Sequence, residues 1–442
     1  MTDMKLTSKA QPPSKVAFAS FVGTTIEWYD YFLFGTASVL IFNNQFFPTL
    51  SPLAGTLAAL ATFSVAFIAR PLGGIIFGHF GDRVSRKTML VWSLVAMGGA
   101  TFLIGLIPNY DAIGIAAPIA LVVARLIQGL AVGGEWGGAV IMALEHAPEN
   151  KKSFYASWPQ AGVPAGVLLS SGAFFLVQLM PEEQLTSFGW RIPFLFSALL
   201  VGFGLYIRLR ITESPEFLEM KADELEHKVP LAEVLKTSKK SLIIGILALT
   251  GSNTLFYIST VYLLSYGPEN AGIARGDLLL AISLGSLLDV FAIPAVAILA
   301  DRHGRKKLLQ IGSAITAVAA IPIFLLINVG SPLGAYLALI LALPIAHSFV
   351  YATISGFIAM LFKPSVRYTG SSLAYQMSGI VSSAPAPILA VFLFAESGTF
   401  VAVAAYLIVA NLIAFVAISF AAPDRRPDYR VDEPVLTESA GS

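Results

Sequence analysis

Two carboxylates stand three residues apart inside a long apolar stretch of this sequence. Glu27 and Asp30 belong to the segment Glu-Trp-Tyr-Asp-Tyr, and this spacing places both on one face of a helix. An ionisable side chain at the centre of a bilayer costs about 2.5–3.5 kcal/mol, which makes it a candidate functional group. Two close carboxylates in a low dielectric resist ionising together. The pair is predicted to carry a proton, unless it lies near the membrane surface or pairs with an arginine.

A second polar pair, Arg125 and Gln128, has the same spacing of three residues. A buried guanidinium can hold a carboxylate through two parallel hydrogen bonds, and an amide can add neutral hydrogen bonds. We predict that this pair binds an anionic substrate. The alternative is a permanent ion pair between Arg125 and a carboxylate of the first apolar stretch. The two arrangements are compatible if the substrate displaces the internal partner.

Four further ionisable residues lie in apolar stretches. Glu135 stands among closely spaced glycines, a pattern that lets helices approach each other, and it is either a proton relay or half of a structural pair. Asp289 is either a second proton site or a helix-packing group. Arg70 precedes a proline and faces either a carboxylate, such as Asp30 or Glu135, or a cavity. His347 can change its charge near neutral pH, although a histidine hydrogen-bonded within a bundle is the commoner arrangement.

Aromatic and amide side chains in the apolar stretches are candidates to line a binding cavity. Tyrosine suits this role because it offers an apolar face and a hydroxyl in one side chain. The predicted substrate-binding set therefore extends beyond the arginine and glutamine to Tyr31, Asn253, Tyr257, Tyr351 and Gln376, with Tyr375 as a further candidate.

The composition indicates which kind of fold positions these groups. Of the 442 residues, 56% are apolar and 12% are charged, the net charge is +1, and cysteine is absent. Soluble domains carry about 25% charged residues, so the chain is predicted to be a membrane protein rather than a soluble enzyme or a disordered chain. The low net charge argues against nucleic-acid binding. The lack of cysteine excludes disulfides and thiolate metal sites.

Long apolar stretches predict twelve membrane spans, each of which needs roughly 20 residues. None of them alternates with the period of two that a membrane β-barrel requires. The predicted fold class is therefore an all-α membrane protein, because helices satisfy their own backbone hydrogen bonds in lipid. The predicted spans cover residues 17–47, 53–80, 88–108, 114–144, 154–180, 190–209, 241–267, 275–300, 307–328, 333–361, 369–395 and 399–421.

The distribution of basic residues predicts an even number of spans with both termini in the cytoplasm. With twelve spans, all but four of the 28 Lys and Arg residues fall in the segments on the side of the termini. The exceptions are Arg191 and Arg275 on the other side, and Arg70 and Arg125 within spans. This bias agrees with the positive-inside rule.

An internal repeat divides the chain into two halves of six spans. Gly-Asp-Arg-Val-Ser-Arg-Lys follows the second span, and Ala-Asp-Arg-His-Gly-Arg-Lys-Lys follows the eighth. Two related halves that rock about a central site are typical of transporters, so the two six-helix bundles are predicted to be related by a pseudo-two-fold axis. The predicted organisation is a cytoplasmic segment 1–16, an N-terminal bundle 17–209, a cytoplasmic linker 210–240, a C-terminal bundle 241–421 and a short cytoplasmic tail 422–442.

Both copies of the repeated loop resemble the loop motif of the major facilitator superfamily, roughly G-x-x-x-D-R-x-G-R-[KR]. The first copy has Ser85 in place of the second glycine, whereas the second copy keeps Gly304. Longer stretches resemble one subfamily, the metabolite:proton symporters, and the N-terminal half is most similar to the shikimate-type carriers. These stretches are residues 23–35, 67–83, 124–139 and 188–194.

The resemblance implies a secondary transporter of the bacterial inner membrane, with many spans. It implies proton-coupled uptake of a small organic acid or related metabolite by alternating access, by a functional monomer with the proton as coupling ion and no other cofactor. It also implies that charged residues of the two loops latch the halves together on the cytoplasmic side. Their alternative role is only to anchor the topology. These gating residues are Asp82, Arg83, Arg86, Asp301 and Arg302.

Two other transport functions remain open. A proline or betaine symporter would have a related site, although osmosensing relatives carry a long C-terminal coiled coil that is not evident in this sequence. A drug/proton antiporter would be expected to have a mainly apolar pocket, in which an arginine is less expected. Neither a G-x-x-x-x-G-K-[ST] phosphate loop nor an H-E-x-x-H metal motif occurs, so ATP coupling, enzymatic activity and a metal site are not predicted.

Overall fold

The computed structural model describes residues 12–83, 86–133, 147–148, 151–209, 231–363 and 366–422, and these ranges are helical apart from short turns. Glu135, most of the linker and most of the tail lie outside the described residues. In the N-terminal half, the helices that correspond to predicted spans are α1 (Pro13–Ala37), α2 (Pro52–Arg83), α3 (Arg86–Leu106), α4 (Ala116–Val132), α5 (Lys152–Gln178) and α6 (Arg191–Leu209).

The C-terminal half repeats this order of six helices. A short helix, Leu231–Thr237, precedes it within the predicted linker region. The helices are α7 (Lys239–Ala271), α8 (Arg275–His303), α9 (Arg305–Ile327), α10 (Pro332–Met360), α11 (Arg367–Ser397) and α12 (Phe400–Ser419).

The lengths and hydropathy of these helices suit a bilayer. Among the described residues, eight helices are long and apolar enough to span a membrane, and the pair Glu182–Gly189 and Arg191–Ile207, bent by 45°, makes a ninth if it is counted as one span. The apolar helices Val91–Leu106 and Ala116–Val132 are shorter, and α1 contains the two carboxylates. Each of the twelve predicted spans thus overlaps a helix of the described residues, which confirms the all-α fold class.

Four helices form much of the contact between the halves. Helix α5 packs along α8, and α2 packs along α11. Helices α2 and α5 occupy the same places in the first half as α8 and α11 in the second, so exchanging the halves converts one pair into the other, as expected for a pseudo-two-fold axis. A polar contact supports the second pair, since Ser64 of α2 donates a hydrogen bond to the carbonyl of Ala384 in α11 at 2.8 Å.

Glycine makes close packing possible within the N-terminal half. Helix α4 packs on α2 with Gly129 and Gly133 at the contact, four residues apart. A methyl group on Gly133 would overlap the carbonyl oxygen of Arg70, and one on Gly129 would overlap that of Ala66. Only glycine allows the backbones to approach this closely, so these two residues fix the position of Arg70 relative to α4.

Candidate functional site

A small cavity lies where the two halves meet at the centre of the bundle. The volume of the cavity is about 20 Å³, which is room for about one or two waters. An organic acid enters this cavity only if the halves move apart. The lining residues are Trp28, Phe67, Arg70 and Val163 from the N-terminal half, and Asn253, Phe256, Tyr257, His347, Tyr351, Tyr375, Ser378, Gly379 and Ser383 from the C-terminal half.

Arg70 is the cationic group of this lining. It is 3% exposed, and its guanidinium carbon lies 4.6 Å from the ring centre of Tyr31, 4.7 Å from that of Phe67 and 5.3 Å from that of Trp28. Its Nε has no hydrogen-bond partner in the described part of the chain, and the buried carboxylate of Glu27 lies near enough to interact electrostatically with the guanidinium. The cation is therefore stabilised by aromatic faces and leaves its Nε–H group available to an anion.

Arg125 and Gln128 lie outside the cavity lining, although both are buried. Arg125 donates one hydrogen bond to Gln128 Oε1 and one to the carbonyl oxygen of Phe63, each at 2.8 Å. Gln128 in turn donates to Thr101 Oγ1 at 2.6 Å. The guanidinium carbon also lies 4.1 Å from the ring centre of Phe34. The predicted pair is formed, but within the described residues no carboxylate pairs with Arg125.

The two carboxylates of α1 are both buried, in different surroundings. Neither carboxyl oxygen of Asp30 meets hydrogen-bond geometry with a described residue, because the hydroxyl of nearby Thr101 donates to the carbonyl oxygen of Met97 instead, and the side chain is 1% exposed. Glu27 is also buried and does interact with other groups. A buried carboxyl group without hydrogen-bond donors is much less costly as the neutral acid than as the anion. The surroundings of Asp30 therefore suit a proton-binding group.

Asp289 and His347 are joined by a side-chain hydrogen bond between α8 and α10. The distance from His347 Nδ1 to Asp289 Oδ2 is 2.8 Å, and the two side chains are 0% and 1% exposed respectively. The imidazole lies between two aromatic rings, with its centre 4.5 Å from that of Phe256 and 4.6 Å from that of Tyr351. Asp289 is therefore a packing partner of His347, and only the histidine reaches the cavity lining.

The cavity-lining residues of the C-terminal half adjoin π-helical turns. Ile258–Tyr262 follows Tyr257 in α7, Leu341–His347 ends at the histidine in α10, and Gly379–Ser383 lies in α11. A π-turn adds one residue to a helical turn and rotates the next part of the helix about its axis, and such turns occur frequently at functional sites. These turns help to direct polar side chains of three helices towards one cavity.

The other predicted binding residues lie in three places. Asn253, Tyr257 and Tyr351 line the cavity, and Asn253 donates to Ser382 Oγ at 3.0 Å. Tyr31 lies behind the lining, with its ring 6.5 Å from that of Tyr257. Gln376 instead connects the halves.

The amide of Gln376 in α11 donates to the carbonyl oxygen of Gly133, beside the end of α4, at 3.1 Å. A hydrogen bond between the halves at this place must break when they separate. The structure thus gives Gln376 a contact that a conformational change would affect, whereas the sequence predicted contact with the substrate.

One of the two predicted gating loops has its side chains in the described part of the structure. Asp301 accepts hydrogen bonds from the backbone amides of Ser153 and Phe154 at 2.9 and 3.1 Å, which ties the end of α8 to the start of α5. Nearby Arg305 donates to Ser153 Oγ at 2.8 Å. Gly304, with φ of 94°, is the single residue between the end of α8 and the start of α9. This conformation, which favours glycine, makes the short connection between the two helices possible. Arg302 is exposed.

The first loop contributes backbone positions only. Asp82 and Arg83 end α2, and Arg86 begins α3, while the side chains of all three lie outside the described residues. The predicted role of these residues in gating stays a prediction.

Sequence reasoning gives too little weight to two residues of the site. Arg70 and His347 are both recognisable as ionisable residues within spans, but the sequence favours a structural role for the first and a packing role for the second. The rotation of each helix about its axis, which brings them to one cavity, leaves little trace in a chain whose spans are apolar on all sides.

The fold, the central cavity and the repeated loop define a membrane transporter built from two six-helix halves. The sequence profile of the Major Facilitator Superfamily matches residues 20–384 and 269–438, and the chain belongs to this superfamily. It is a transport protein and not an enzyme.

Individual relatives are similar over most of their length. The inner membrane metabolite transport protein YhjE of Escherichia coli K12 is 40% identical over 391 residues, which cover 87% of this chain and 89% of that protein. The shikimate transporter of the same organism is 42% identical over 407 residues (90% and 92%), and its proline/betaine transporter is 34% identical over 416 residues (91% and 82%). The crystal structure of a D-xylose-proton symporter superposes with a TM-score of 0.73 at 17% identity, covering 93% and 97% of the two chains, which supports the fold.

Proposed function

We propose that the protein takes up a small organic acid together with a proton by alternating access of the central cavity. The observation that carries this proposal is the guanidinium of Arg70, which reaches the cavity and whose Nε has no hydrogen-bond partner among the described residues. A buried guanidinium of this kind is suited to bind a carboxylate through two hydrogen bonds. The relatives named as metabolite and shikimate transporters support this substrate class.

Asp30 is the proposed proton carrier. Its carboxyl group, buried without hydrogen bonds in the described part of the chain, is costly as an anion whenever water is excluded. The halves therefore close readily when Asp30 is protonated and poorly when it is ionised. Glu27, three residues earlier on the same helix, remains a second member of this proton site, and Asp289 and Glu135 keep their predicted candidacy at lower priority.

Coupling follows from the need to close the site without an unpaired charge. A substrate carboxylate neutralises Arg70, and a proton neutralises Asp30. When only one of the two is bound, closure buries an uncompensated charge, which costs several kcal/mol. In the loaded carrier both charges are neutralised, and in the empty carrier the two opposite charges are both present and sum to zero. The inward proton gradient then drives net uptake.

The proposed orientation places both termini, the linker 210–240 and the two charged loops in the cytoplasm. The distribution of Lys and Arg supports it. In this orientation, Asp301 and Gln376 join the halves on the cytoplasmic side and hold it closed until the loaded carrier opens inward. Asp82, Arg83, Arg86 and Arg302 are proposed to assist at the same surface. We propose that one chain, in the bacterial inner membrane, is the transporting unit.

Uptake into proteoliposomes under an inward proton gradient tests this function. The panel contains shikimate, α-ketoglutarate, citrate, succinate, proline and glycine betaine, each with and without a protonophore. We expect accumulation of at least one of the acids and its loss with the protonophore. Accumulation that persists with the protonophore would contradict proton coupling, and failure of all four acids would contradict the substrate class.

Arg70→Lys tests the binding residue. Lysine keeps the charge but loses the two-donor geometry, so we expect the KM for the transported acid to rise at least tenfold. Arg275→Lys is the matched control, because Arg275 is exposed at the first residue of α8. An unchanged KM in Arg70→Lys would remove Arg70 from the site.

A zwitterionic osmolyte is the second candidate substrate. The aromatic lining beside Arg70 favours it, because Trp28, Phe67 and Tyr257 can accept a quaternary ammonium on their ring faces while the guanidinium holds the carboxylate. The relative named as a proline/betaine transporter supports this candidate. Accumulation of glycine betaine or proline in preference to every acid would establish it. A drug antiporter is less consistent with a cationic cavity.

A further inference from the structure

Apart from the lower-priority candidacy of Asp289 as a proton site, the pair formed by Asp289 and His347 has no step in the proposed transport cycle. It lies in the C-terminal half, on α8 and α10. Arg70, which is proposed to bind the substrate carboxylate, and Asp30, the proposed proton carrier, lie in the N-terminal half. Charged or ionisable groups inside a membrane bundle are costly and are generally retained for function. The geometry of the pair indicates which function it serves.

The imidazole of His347 is held on three sides. His347 Nδ1 and Asp289 Oδ2 share a hydrogen bond at 2.8 Å, in which an ionised carboxylate is the acceptor. The rings of Phe256 and Tyr351 cover the two faces, both at an interplanar angle of 26°. The remaining edge carries Nε2, which has no hydrogen-bond partner among the described residues, and His347 lines the central cavity. A ring fixed in this way offers one polar atom in one direction.

The carboxylate also fixes the tautomer of the histidine. A hydrogen on Nδ1 is required for the bond to Asp289, so Nε2 of the neutral ring is an acceptor. An acceptor held between two aromatic rings in the cavity wall suits a hydroxyl group of a ligand. It does not suit an apolar substituent, which would leave the nitrogen buried and unpaired.

We infer that His347 is a specificity-determining residue that receives a hydroxyl group of the substrate, with Asp289 as its positioning residue. This inference rests on the proposed function: Arg70 holds the carboxylate on one side of the cavity, and His347 accepts from a hydroxyl on the other. The ligand class is therefore a small hydroxylated carboxylic acid that contacts both halves. Such a ligand connects the halves when they close, which links recognition to the conformational change.

Competition by matched pairs of acids tests this inference. Each pair shares its carbon skeleton and its carboxylates, and one member lacks the hydroxyls: shikimate with cyclohex-1-ene-1-carboxylate, and malate with succinate. A labelled acid that the wild-type protein transports is taken up in the presence of each competitor. The readout is the competitor concentration that halves this uptake. For wild type we expect the hydroxylated member of at least one pair to act at a concentration at least tenfold lower, since one buried hydrogen bond is worth about tenfold in affinity.

His347→Phe keeps a flat ring between Phe256 and Tyr351 but removes the acceptor. We expect the preference for the hydroxylated acid to fall to within threefold, while the deoxygenated acid keeps its wild-type inhibition. Because this variant leaves Asp289 buried without its partner, His347→Phe combined with Asp289→Leu provides an apolar pair for the same measurement. The single variant Asp289→Asn retains an acceptor for Nδ1 and is expected to keep the preference, whereas Asp289→Leu alone loses it.

The outcomes separate the two proposals. If wild type transports an acid but shows no preference in either pair, or if the folded histidine variants keep the tenfold preference, the role of His347 is overturned and the proposed function stands. If wild type transports none of the acids, the proposed function fails and the inference fails with it. Size-exclusion chromatography and the melting midpoint identify the variants that are folded.

Discussion

Asp301 caps the first turn of α5 from the opposite half of the molecule, through hydrogen bonds with the backbone amides of Ser153 and Phe154. The first amides of a helix have no partners within the helix, and Lys151, at the N-cap position, makes no side-chain cap. The carboxylate therefore satisfies donors that the N-terminal half leaves open, and it meets the positive end of the helix dipole. The contact stabilises the arrangement in which the two halves are closed at this end.

Asp301→Ala is expected to favour opening of the proposed cytoplasmic side. Loss of a helix cap costs about 1 kcal/mol, which shifts the equilibrium between closed and open states roughly fivefold. The natural chain lacks cysteine, so Val163→Cys in the cavity lining gives a single reporter. Its rate of modification by an impermeant maleimide, applied from the cytoplasmic side of inverted vesicles, should rise about fivefold in the Asp301→Ala background.

Asp277→Ala is the control for this measurement, because Asp277 lies in the first turn of the same helix α8, at the end far from Asp301. The labelling rate should stay within twofold of the parent. If Asp301→Ala also leaves the rate unchanged, the hydrogen bonds with α5 do not govern opening, and the loop serves topology alone.

Asp30→Asn is expected to separate exchange from accumulation. Asparagine resembles the protonated acid in shape and neutrality, so the loaded carrier can still close and reorient. Exchange of labelled for unlabelled substrate should remain within about threefold of wild type, whereas accumulation driven by a proton gradient should fall to background. The measurement compares the two modes in the same proteoliposome preparation.

Asp277→Asn, a change outside the cavity, should preserve both modes and is the matched control. Gradient-driven accumulation by Asp30→Asn at the wild-type level would show that another carboxylate carries the proton. Glu27→Gln would then be the next variant to compare in the same assay.

The fold could be predicted from the sequence because lipid imposes a simple rule on it. Every span must be helical and apolar, the basic residues mark one side, and the repeated loop marks the two halves. The family resemblance agreed with each of these features. None of these features depends on how a helix is rotated about its own axis.

The site was harder to predict because it depends on contacts between residues far apart in the chain. Arg70 and Arg125 are both single arginines within apolar spans, and only the packing of α2 on α4 shows that the first reaches the cavity while the second bonds to Phe63 and Gln128. The contact between Asp289 and His347 joins two helices and has no local spacing that predicts it.

Gly133→Ala is expected to destabilise the N-terminal half and to displace Arg70. A methyl group there would overlap the Arg70 carbonyl oxygen and would lie 2.7 Å from the Gly74 amide nitrogen. Overpacking of this kind costs roughly 1–3 kcal/mol. The melting midpoint of the purified protein should fall by several degrees, and uptake should fall with it.

Gly99→Ala is the matched control for the packing prediction. Its added methyl group meets nothing within 4 Å, and alanine is the better helix former by about 1 kcal/mol. The melting midpoint should stay constant or rise. Equal destabilisation by both substitutions would mean that the close approach of α2 and α4 contributes little to stability.

Arg125→Lys is expected to affect stability more than substrate affinity. The guanidinium makes two hydrogen bonds, to Gln128 and to the carbonyl of Phe63, and lysine cannot reproduce that planar geometry. Loss of one buried hydrogen bond leaves an unpaired acceptor and costs roughly 1–3 kcal/mol. The melting midpoint should therefore fall, while the KM of the folded fraction stays within threefold of wild type. A tenfold rise in KM with an unchanged midpoint would reverse the assignment and make Arg125, rather than Arg70, the ligand of the substrate carboxylate.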